Sequence, residues 1–224
     1  MPRRCSTSSA TRCTRCPRAW PTPGSTAASA TQSQLLERWL LTDEVIDRFL
    51  VHSKTGEPMS DALVAKIKKA ATFNQGFETT EYLASALVDM KYHTMDPAGL
   101  DARAFERATL EELGMPHELV MRHRGPHFTH IFSGEGYSAG YYGYIWADVL
   151  TADAAEAFDE APGGYYDKGL AKRLVSNLFA VRNAVDPAEA YRAFRGRDAR
   201  IDALMRDRGF PIPGDKVASL STAD

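Results

Sequence analysis

No cysteine occurs after residue 16, which excludes a disulfide-stabilised scaffold for most of the 224-residue chain. The three cysteines of the sequence are Cys5, Cys13 and Cys16. Cys13 and Cys16 have the CxxC spacing of zinc and redox sites, but a structural zinc site of this type needs a second pair of ligands. A single CxxC is therefore weak support for a metal or redox site.

Long hydrophobic runs are also missing. No apolar stretch approaches the roughly 18–20 residues that a membrane-spanning helix needs. The N-terminus has no apolar core of the kind found in secretory signals. We therefore expect no membrane partner and a cytoplasmic location.

Outside the first 32 residues, acidic side chains outnumber basic ones. That segment carries five Arg, no Lys and no acidic residue, so the rest of the chain holds 22 basic and 29 acidic side chains. Binding of nucleic acid through phosphates requires clustered positive charge. The acidic body therefore predicts that nucleic acid is not a partner.

Residues 1–32 also lack the pattern of a folded segment. Four prolines interrupt them, at positions 2, 17, 21 and 23, and no helical or strand periodicity is visible. Three interpretations are open: a disordered tail, a transit peptide rich in Arg and Ser, or a GC-rich stretch translated out of frame. We predict a domain boundary here, with residues 33–224 forming a helical body.

From residue 33 onward, apolar side chains recur at helical spacing. Asp186-Pro187 is a strong helix start, because Asp caps the helix and Pro suits its first position. Only His127–Phe132 alternates like a strand. The sequence thus predicts a mainly α, multi-helix fold with one short strand and a Gly/Tyr-rich loop. The predicted helices cover residues 35–40, 45–50, 63–71, 82–90, 101–113, 144–158, 170–179, 187–194 and 200–208.

The most distinctive stretch is residues 127–146, HFTHIFSGEGYSAGYYGYIW, called here the Gly-Tyr segment. Its glycines allow the backbone to change shape at little steric cost. A Tyr phenol with a pKa near 10 stays protonated at neutral pH, so it can donate a hydrogen bond to a developing oxyanion. Two other interpretations are an aromatic loop packed over the core and a phosphate loop, since residues 134–139 fit GxGxxG/A. The phosphate loop is disfavoured because it requires alternating strands and helices.

The Gly-Tyr segment closely resembles the corresponding loop of the thimet oligopeptidase family of zinc metallopeptidases, in the form typical of its bacterial peptidyl-dipeptidases. Residues 73–93, FNQGFETTEYLASALVDMKYH, are similar to the family's helix before that loop. Residues 33–58 are similar to the stretch after its metal site, and residues 191–210 to its C-terminal end. The resemblance covers residues 33–213. It implies the C-terminal portion of a zincin-type metallopeptidase catalytic domain.

The resemblance also implies a function and site residues. Members of the family are usually monomeric and hydrolyse short peptides, acting as peptidyl-dipeptidases or oligopeptidases. In the family, a His and two Tyr of this loop bind substrate and stabilise the tetrahedral intermediate. The matching residues are His130, Tyr137 and Tyr144, and Tyr141 is an additional substrate contact. Tyr137 and Tyr144 are the predicted catalytic donors.

The zinc-binding motif that the resemblance implies, HExxH, does not occur in the sequence. After His117, the second His would have to stand at Met121, and His123 is six residues away on another side of a helix. The family's third ligand, a Glu, aligns with Ala30. We therefore predict no metal ligands, poor zinc binding and no proteolysis by this chain alone, and we favour the out-of-frame interpretation of residues 1–32. The alternative is a non-catalytic helical module that binds peptides or a protein.

Overall fold

The computed structural model describes residues 25–134, 136–181 and 184–212. Within these ranges most residues are helical and the others form turns and loops, which confirms the predicted mainly α class, and extended pairing is limited to one bridge between Val51 and Pro58. No helix in this part of the chain is long and apolar enough to cross a membrane. The α-helices are α1 Ser25–Glu37, α2 Asp43–Phe49, α3 Asp61–Ala70, α4 Gln75–Thr94, α5 Ala102–Glu112, α6 Thr129–Phe132, α7 Gly143–Asp159, α8 Lys168–Leu174, α9 Pro187–Arg195 and α10 Ile201–Asp207. Three 3-10 turns, Arg38–Leu41, Gly125–His127 and Gly164–Tyr166, and a π-helical turn, Val175–Phe179, join them.

The predicted strand over His127–Phe132 is wrong. This stretch contains the end of a 3-10 turn and the short helix α6. Phe128 and Ile131, three residues apart, are buried, whereas Phe132 is exposed. The burial period is thus helical, and six residues are too few for a sequence pattern to separate the two periods.

Local capping signals place the helix ends correctly. The carboxylates of Asp101 and Asp186 accept hydrogen bonds from backbone amides two and three residues further on, at 2.9–3.1 Å. Gly114 and Gly209 follow α5 and α10 with φ angles of 68° and 71°. Such left-handed positions favour Gly because it has no Cβ. These helix ends are confirmed because they depend on contacts between near neighbours in the chain.

Helix α1 begins at Ser25, so the predicted boundary at residue 33 falls inside a helix. The sequence pattern did not predict helix before that position. In this helix Leu35 is fully buried, and Gln34 donates a hydrogen bond to Asp148 of α7 at 2.9 Å. Residues 1–24 lie outside the described residues. The disordered, transit-peptide and out-of-frame interpretations of the N-terminal segment, and the boundary itself, stay predictions.

Helix α7 forms the centre of the larger core. Its buried Ala residues allow α1 and α10 to pack closely against it. Phe158, near its end, is completely buried and meets the edge of Trp39 at a ring distance of 5.0 Å. The Trp39 indole N–H donates to the Tyr165 carbonyl at 2.9 Å. This packing fixes α7, whose first turn belongs to the Gly-Tyr segment.

A second, smaller core lies between α4 and the Gly-Tyr segment. Its buried members are Val88, Tyr92, Met121, Phe128 and Ile131. Two half-buried tyrosines of the segment pack against this cluster from one side. The segment therefore packs against the apolar side chains of this smaller core, and its C-terminal end is continuous with α7.

Candidate functional site

His130 and Tyr144 are in direct contact although 14 residues separate them. His130 lies on α6 and Tyr144 is the second residue of α7. The His130 Nε2 atom is 2.8 Å from the Tyr144 hydroxyl oxygen, so the two groups share a hydrogen bond. The tautomer of the imidazole decides which of them donates.

Tyr137 and Tyr141 complete this group. The Tyr137 ring lies 4.2 Å from the His130 ring and is stacked on Tyr144 at 5.6 Å with an interplanar angle of 7°. The Tyr141 ring meets Tyr144 at 5.4 Å and His130 at 5.7 Å. All four residues predicted to bind substrate thus converge in one place, called here the His-Tyr cluster. The three tyrosines are half-buried and His130 is exposed.

The surroundings of Tyr144 and Tyr141 favour the protonated form of their phenols. Burial raises the pKa of Tyr144 well above its usual value, and the neighbouring Tyr137 hydroxyl adds to the effect. Burial also raises the pKa of Tyr141, while the positive charge of Arg122 acts in the opposite direction. At neutral pH both phenols are neutral and can donate a hydrogen bond to a carbonyl oxygen or an oxyanion.

The loop between α6 and α7 is a succession of hydrogen-bonded turns. The Ser138 hydroxyl donates to the Ile131 carbonyl at 2.9 Å, which joins the loop to α6. The Gly140 amide donates to the Tyr137 carbonyl at 2.9 Å, and the Gly143 amide donates to the Gly140 carbonyl at 3.0 Å. The spacing between Tyr137 and the start of α7 is therefore set by consecutive turns.

Two side chains of α4 that the sequence reasoning did not single out hold this loop. Asp89 is fully buried and accepts hydrogen bonds from the Ala139 and Tyr141 amides at 3.0 and 2.9 Å. The Tyr82 hydroxyl donates to the Tyr141 carbonyl and accepts from the Ile145 amide at 3.3 Å. An available signal was the acid within the apolar run LASALVDM, because a buried carboxylate requires hydrogen-bond partners.

The described residues do not fit a zinc ion. In residues 25–134, 136–181 and 184–212, no three His, Cys, Asp or Glu side chains come together as metal ligands would. His130, the histidine of the cluster, has the Tyr144 hydroxyl as its neighbour. The three cysteines lie outside the described residues. The phosphate-loop interpretation also loses its structural basis, since the helix α6 precedes residues 134–139 instead of a strand.

A cleft of about 770 Å³ is lined by residues 73–75, 77–79, 81, 82, 122 and 208, none of which belongs to the cluster. Tyr82 lines the cleft and stacks on Tyr141 of the cluster at a ring distance of 5.3 Å. This ring contact connects the wall of the cleft with the cluster. The cleft contains both acidic and basic side chains, including Glu81 and Arg122, and the apolar ring of Phe77. Its volume lies within the range of pockets that bind small ligands.

Comparisons with known proteins give one consistent result. The sequence model of peptidase family M3 matches residues 9–210, so the match begins ahead of the predicted boundary at residue 33. The dipeptidyl carboxypeptidases of Salmonella typhimurium and Escherichia coli are each 35% identical to this chain, over 181 and 184 residues. The oligopeptidase A of Haemophilus influenzae is 31% identical over 179 residues. These alignments cover 79–80% of this chain and 26% of each relative, so the chain spans about a quarter of the length of the curated relatives it matches.

Proposed function

Because this chain belongs to peptidase family M3, we propose that its His-Tyr cluster binds short peptides and that the chain alone does not hydrolyse them. The observation that carries the proposal is the convergence of His130, Tyr137, Tyr141 and Tyr144 in one place. Four residues spread over 15 positions meet in one place. A loop that only covered a core would not need three phenols and an imidazole at one point.

The chemistry of the cluster suits a peptide backbone. Tyr137 and Tyr144 are the proposed donors to a peptide carbonyl and, in a complete enzyme, to the oxyanion of the tetrahedral intermediate. Tyr141 is the proposed additional contact. His130 holds the Tyr144 hydroxyl by the 2.8 Å hydrogen bond, so it orients one donor as well as contacting substrate. In enzymes of known mechanism, loss of one oxyanion donor lowers turnover by about 10²–10³.

Absence of proteolysis by the chain itself is the first expected result. In an HExxH peptidase the two His bind zinc and the Glu is the general base, and the sequence contains no such motif. The purified chain with added zinc is expected to leave a blocked tetrapeptide intact, as measured by chromatography of the products. Cleavage that a zinc chelator stops would contradict the proposal, whereas chelator-insensitive cleavage would indicate a contaminating peptidase of another class.

Removal of two hydroxyl groups is expected to weaken peptide binding. The double variant Tyr137→Phe plus Tyr144→Phe keeps both rings and loses both donors. Each lost hydrogen bond costs about 0.5–1.5 kcal/mol, so the loss of two should lower the affinity for a labelled tetrapeptide by about 5- to 150-fold in fluorescence polarisation. Tyr142→Phe is the matched control, because Tyr142 lies in the same loop outside the cluster. Equal affinity of the double variant and the control would refute peptide binding by the cluster.

The rival function is that of a non-catalytic helical module that binds a protein through apolar surface. Phe49, Phe73 and Val120 are 70–72% exposed, and we propose for this alternative that such side chains contribute to a contiguous apolar surface, which is the kind that marks interaction sites. Under this alternative, peptide binding is indifferent to the two Tyr hydroxyls. The variants described above therefore distinguish the two functions.

Short peptides are the proposed ligands, and neither nucleic acid nor membrane is proposed as a partner. We propose a monomeric, cytoplasmic protein, and zinc as the cofactor of the complete family enzyme. The matched relatives include proteins named dipeptidyl carboxypeptidase and oligopeptidase A, and we propose that the complete family enzyme is of the peptidyl-dipeptidase or the oligopeptidase type.

A further inference from the structure

The most deeply buried charge near the His-Tyr cluster belongs to Asp89, whose exposed fraction is 0%. A carboxylate in such a place is stable only when its oxygens accept hydrogen bonds or face a positive charge. The Asp89 side chain accepts two backbone amides, and the His93 Nδ1 atom lies 2.9 Å from both the Oδ1 atom and the carbonyl oxygen of Asp89. His93 stands one turn further along the same helix. Asp89 is thus fully partnered within the fold.

Both amides come from the loop that carries the cluster. They belong to Ala139 and Tyr141, the residues on either side of Gly140. Ala139 has a φ angle of 53°, in the left-handed region that residues with a Cβ rarely adopt. The hydrogen bond from its amide to Asp89 holds this unfavourable conformation. The carboxylate therefore fixes the backbone between Tyr137 and Tyr141.

A second attachment lies seven residues earlier on α4. Residues i and i+7 are on the same face of a helix, so Tyr82 and Asp89 are directed toward the same side. The Tyr82 hydroxyl bonds to the Tyr141 carbonyl and the Ile145 amide. Tyr141 is consequently held at its amide by Asp89 and at its carbonyl by Tyr82.

We propose that Asp89 is a positioning residue that holds the Gly-Tyr loop in its peptide-binding shape, a role that rests on the proposed function of the His-Tyr cluster. The cluster consists of ring contacts and one hydrogen bond, and Tyr137 and Tyr141 reach it from a backbone that Asp89 fixes. Without the carboxylate, the left-handed turn at Ala139 loses its support and the phenols no longer converge. Asp89 does not touch the peptide itself.

The test is Asp89→Asn, which preserves volume but replaces one acceptor oxygen with an NH₂ group that cannot accept the second amide. Hydrogen exchange of the Ala139 and Tyr141 amides, followed by NMR, is expected to become at least tenfold faster. Affinity for the labelled tetrapeptide is expected to fall about tenfold. The matched control is Asp153→Asn, the same change at an equally buried carboxylate on α7 in the other core. In this control, the exchange rates of the Ala139 and Tyr141 amides relative to the other amides of the protein should stay unchanged.

Three outcomes overturn the inference. If Asp89→Asn frees the loop amides but leaves peptide affinity intact while the double Tyr→Phe variant loses affinity, the proposed function stands and Asp89 does not position the site. If Asp89→Asn and Asp153→Asn speed exchange equally throughout the protein, the role is only structural. If none of the variants changes affinity, the proposed function fails and the inference fails with it.

Tyr82→Phe provides a second variant in case Asp89→Asn does not fold. It removes only the hydroxyl that bonds to the Tyr141 carbonyl and the Ile145 amide, and the stacked ring remains. We expect faster exchange at Ile145 and an affinity several-fold lower. If the Ile145 amide exchanges faster but peptide affinity is unchanged, the side chains of α4 do not position the loop for peptide binding.

Discussion

Replacement of Asp153 by Ala is expected to lower the free energy of unfolding by about 3–5 kcal/mol. Asp153 lies in the middle of α7 with an exposed fraction of 0%. Its carboxylate accepts a hydrogen bond from Arg197 at 2.7 Å and another from the Tyr191 hydroxyl at 2.6 Å, and Arg195 Nε is 3.4 Å away. The substitution removes the negative charge but leaves the side chain of Arg195 buried. Arg195 keeps its ion pair with Glu160 at 2.6 Å, so the large effect comes from the loss of the acceptor that Arg197 and the buried Tyr191 hydroxyl share.

Urea unfolding followed by circular dichroism measures this change. Asp198→Ala is the matched control, because Asp198 pairs with Arg192 at a similar distance of 2.7 Å but both side chains are about half exposed. Exposed pairs contribute about 0–1 kcal/mol. Asp153→Asn should lie between the two, since its remaining oxygen can still accept from Arg197. If Asp153→Ala lowers the free energy of unfolding no more than Asp198→Ala does, the buried carboxylate contributes little to stability.

Replacement of Gly125 by Ala is expected to destabilise the smaller core by about 1–3 kcal/mol. A Cβ atom at this position would lie 2.1 Å from the Tyr92 hydroxyl oxygen. Tyr92 cannot easily withdraw, because it is buried, packs on Phe105 at 4.5 Å and donates to the Ala102 carbonyl at 3.2 Å. The backbone is fixed as well, since the Gly125 amide donates to the buried Glu106 carboxylate at 2.9 Å.

A double-mutant cycle with Tyr92→Phe tests the stated cause. Without the hydroxyl, the nearest atom to the added methyl group is a ring carbon at 3.0 Å, so Gly125→Ala should cost less in the Tyr92→Phe background. Gly134→Ala is the control, because a Cβ there meets nothing within 4 Å. If Gly125→Ala lowers the free energy of unfolding equally in both backgrounds, the contact with the Tyr92 hydroxyl is not the cause of the destabilisation.

Both predictions concern the support of the His-Tyr cluster. Asp153 stabilises α7, whose first turn carries Tyr144. Gly125 and Tyr92 belong to the core under α6, which carries His130. The cluster has one member on each of these helices and two on the loop between them. Unfolding of either core would therefore disrupt the cluster, whereas a partial loss of stability, as expected for Asp153→Asn, raises hydrogen exchange throughout the protein and does not selectively free the loop amides.

Local features of the sequence determined most of the helical fold. Asp101 and Asp186 cap helices with amides two and three residues away, and Gly114 and Gly209 follow helix ends, so a short window contains the whole interaction. The family resemblance supplied the four site residues, and the structure brings them together. Their roles remain predictions.

Contacts between distant parts of the chain decided the conformation of residues 127–132 and the side chains that hold the Gly-Tyr segment. The stretch 127–132 is helical because Phe128 and Ile131 are buried together in the core beside α4, a fact that a six-residue pattern does not contain. Asp89 meets Ala139 and Tyr141 across 50 and 52 positions of sequence. Burial and hydrogen bonding at such separations arise only when helices pack, since no local propensity records which distant amide a carboxylate will meet. The sequence alone thus determined the helices and the family, and the tertiary structure decided which side chains hold the site.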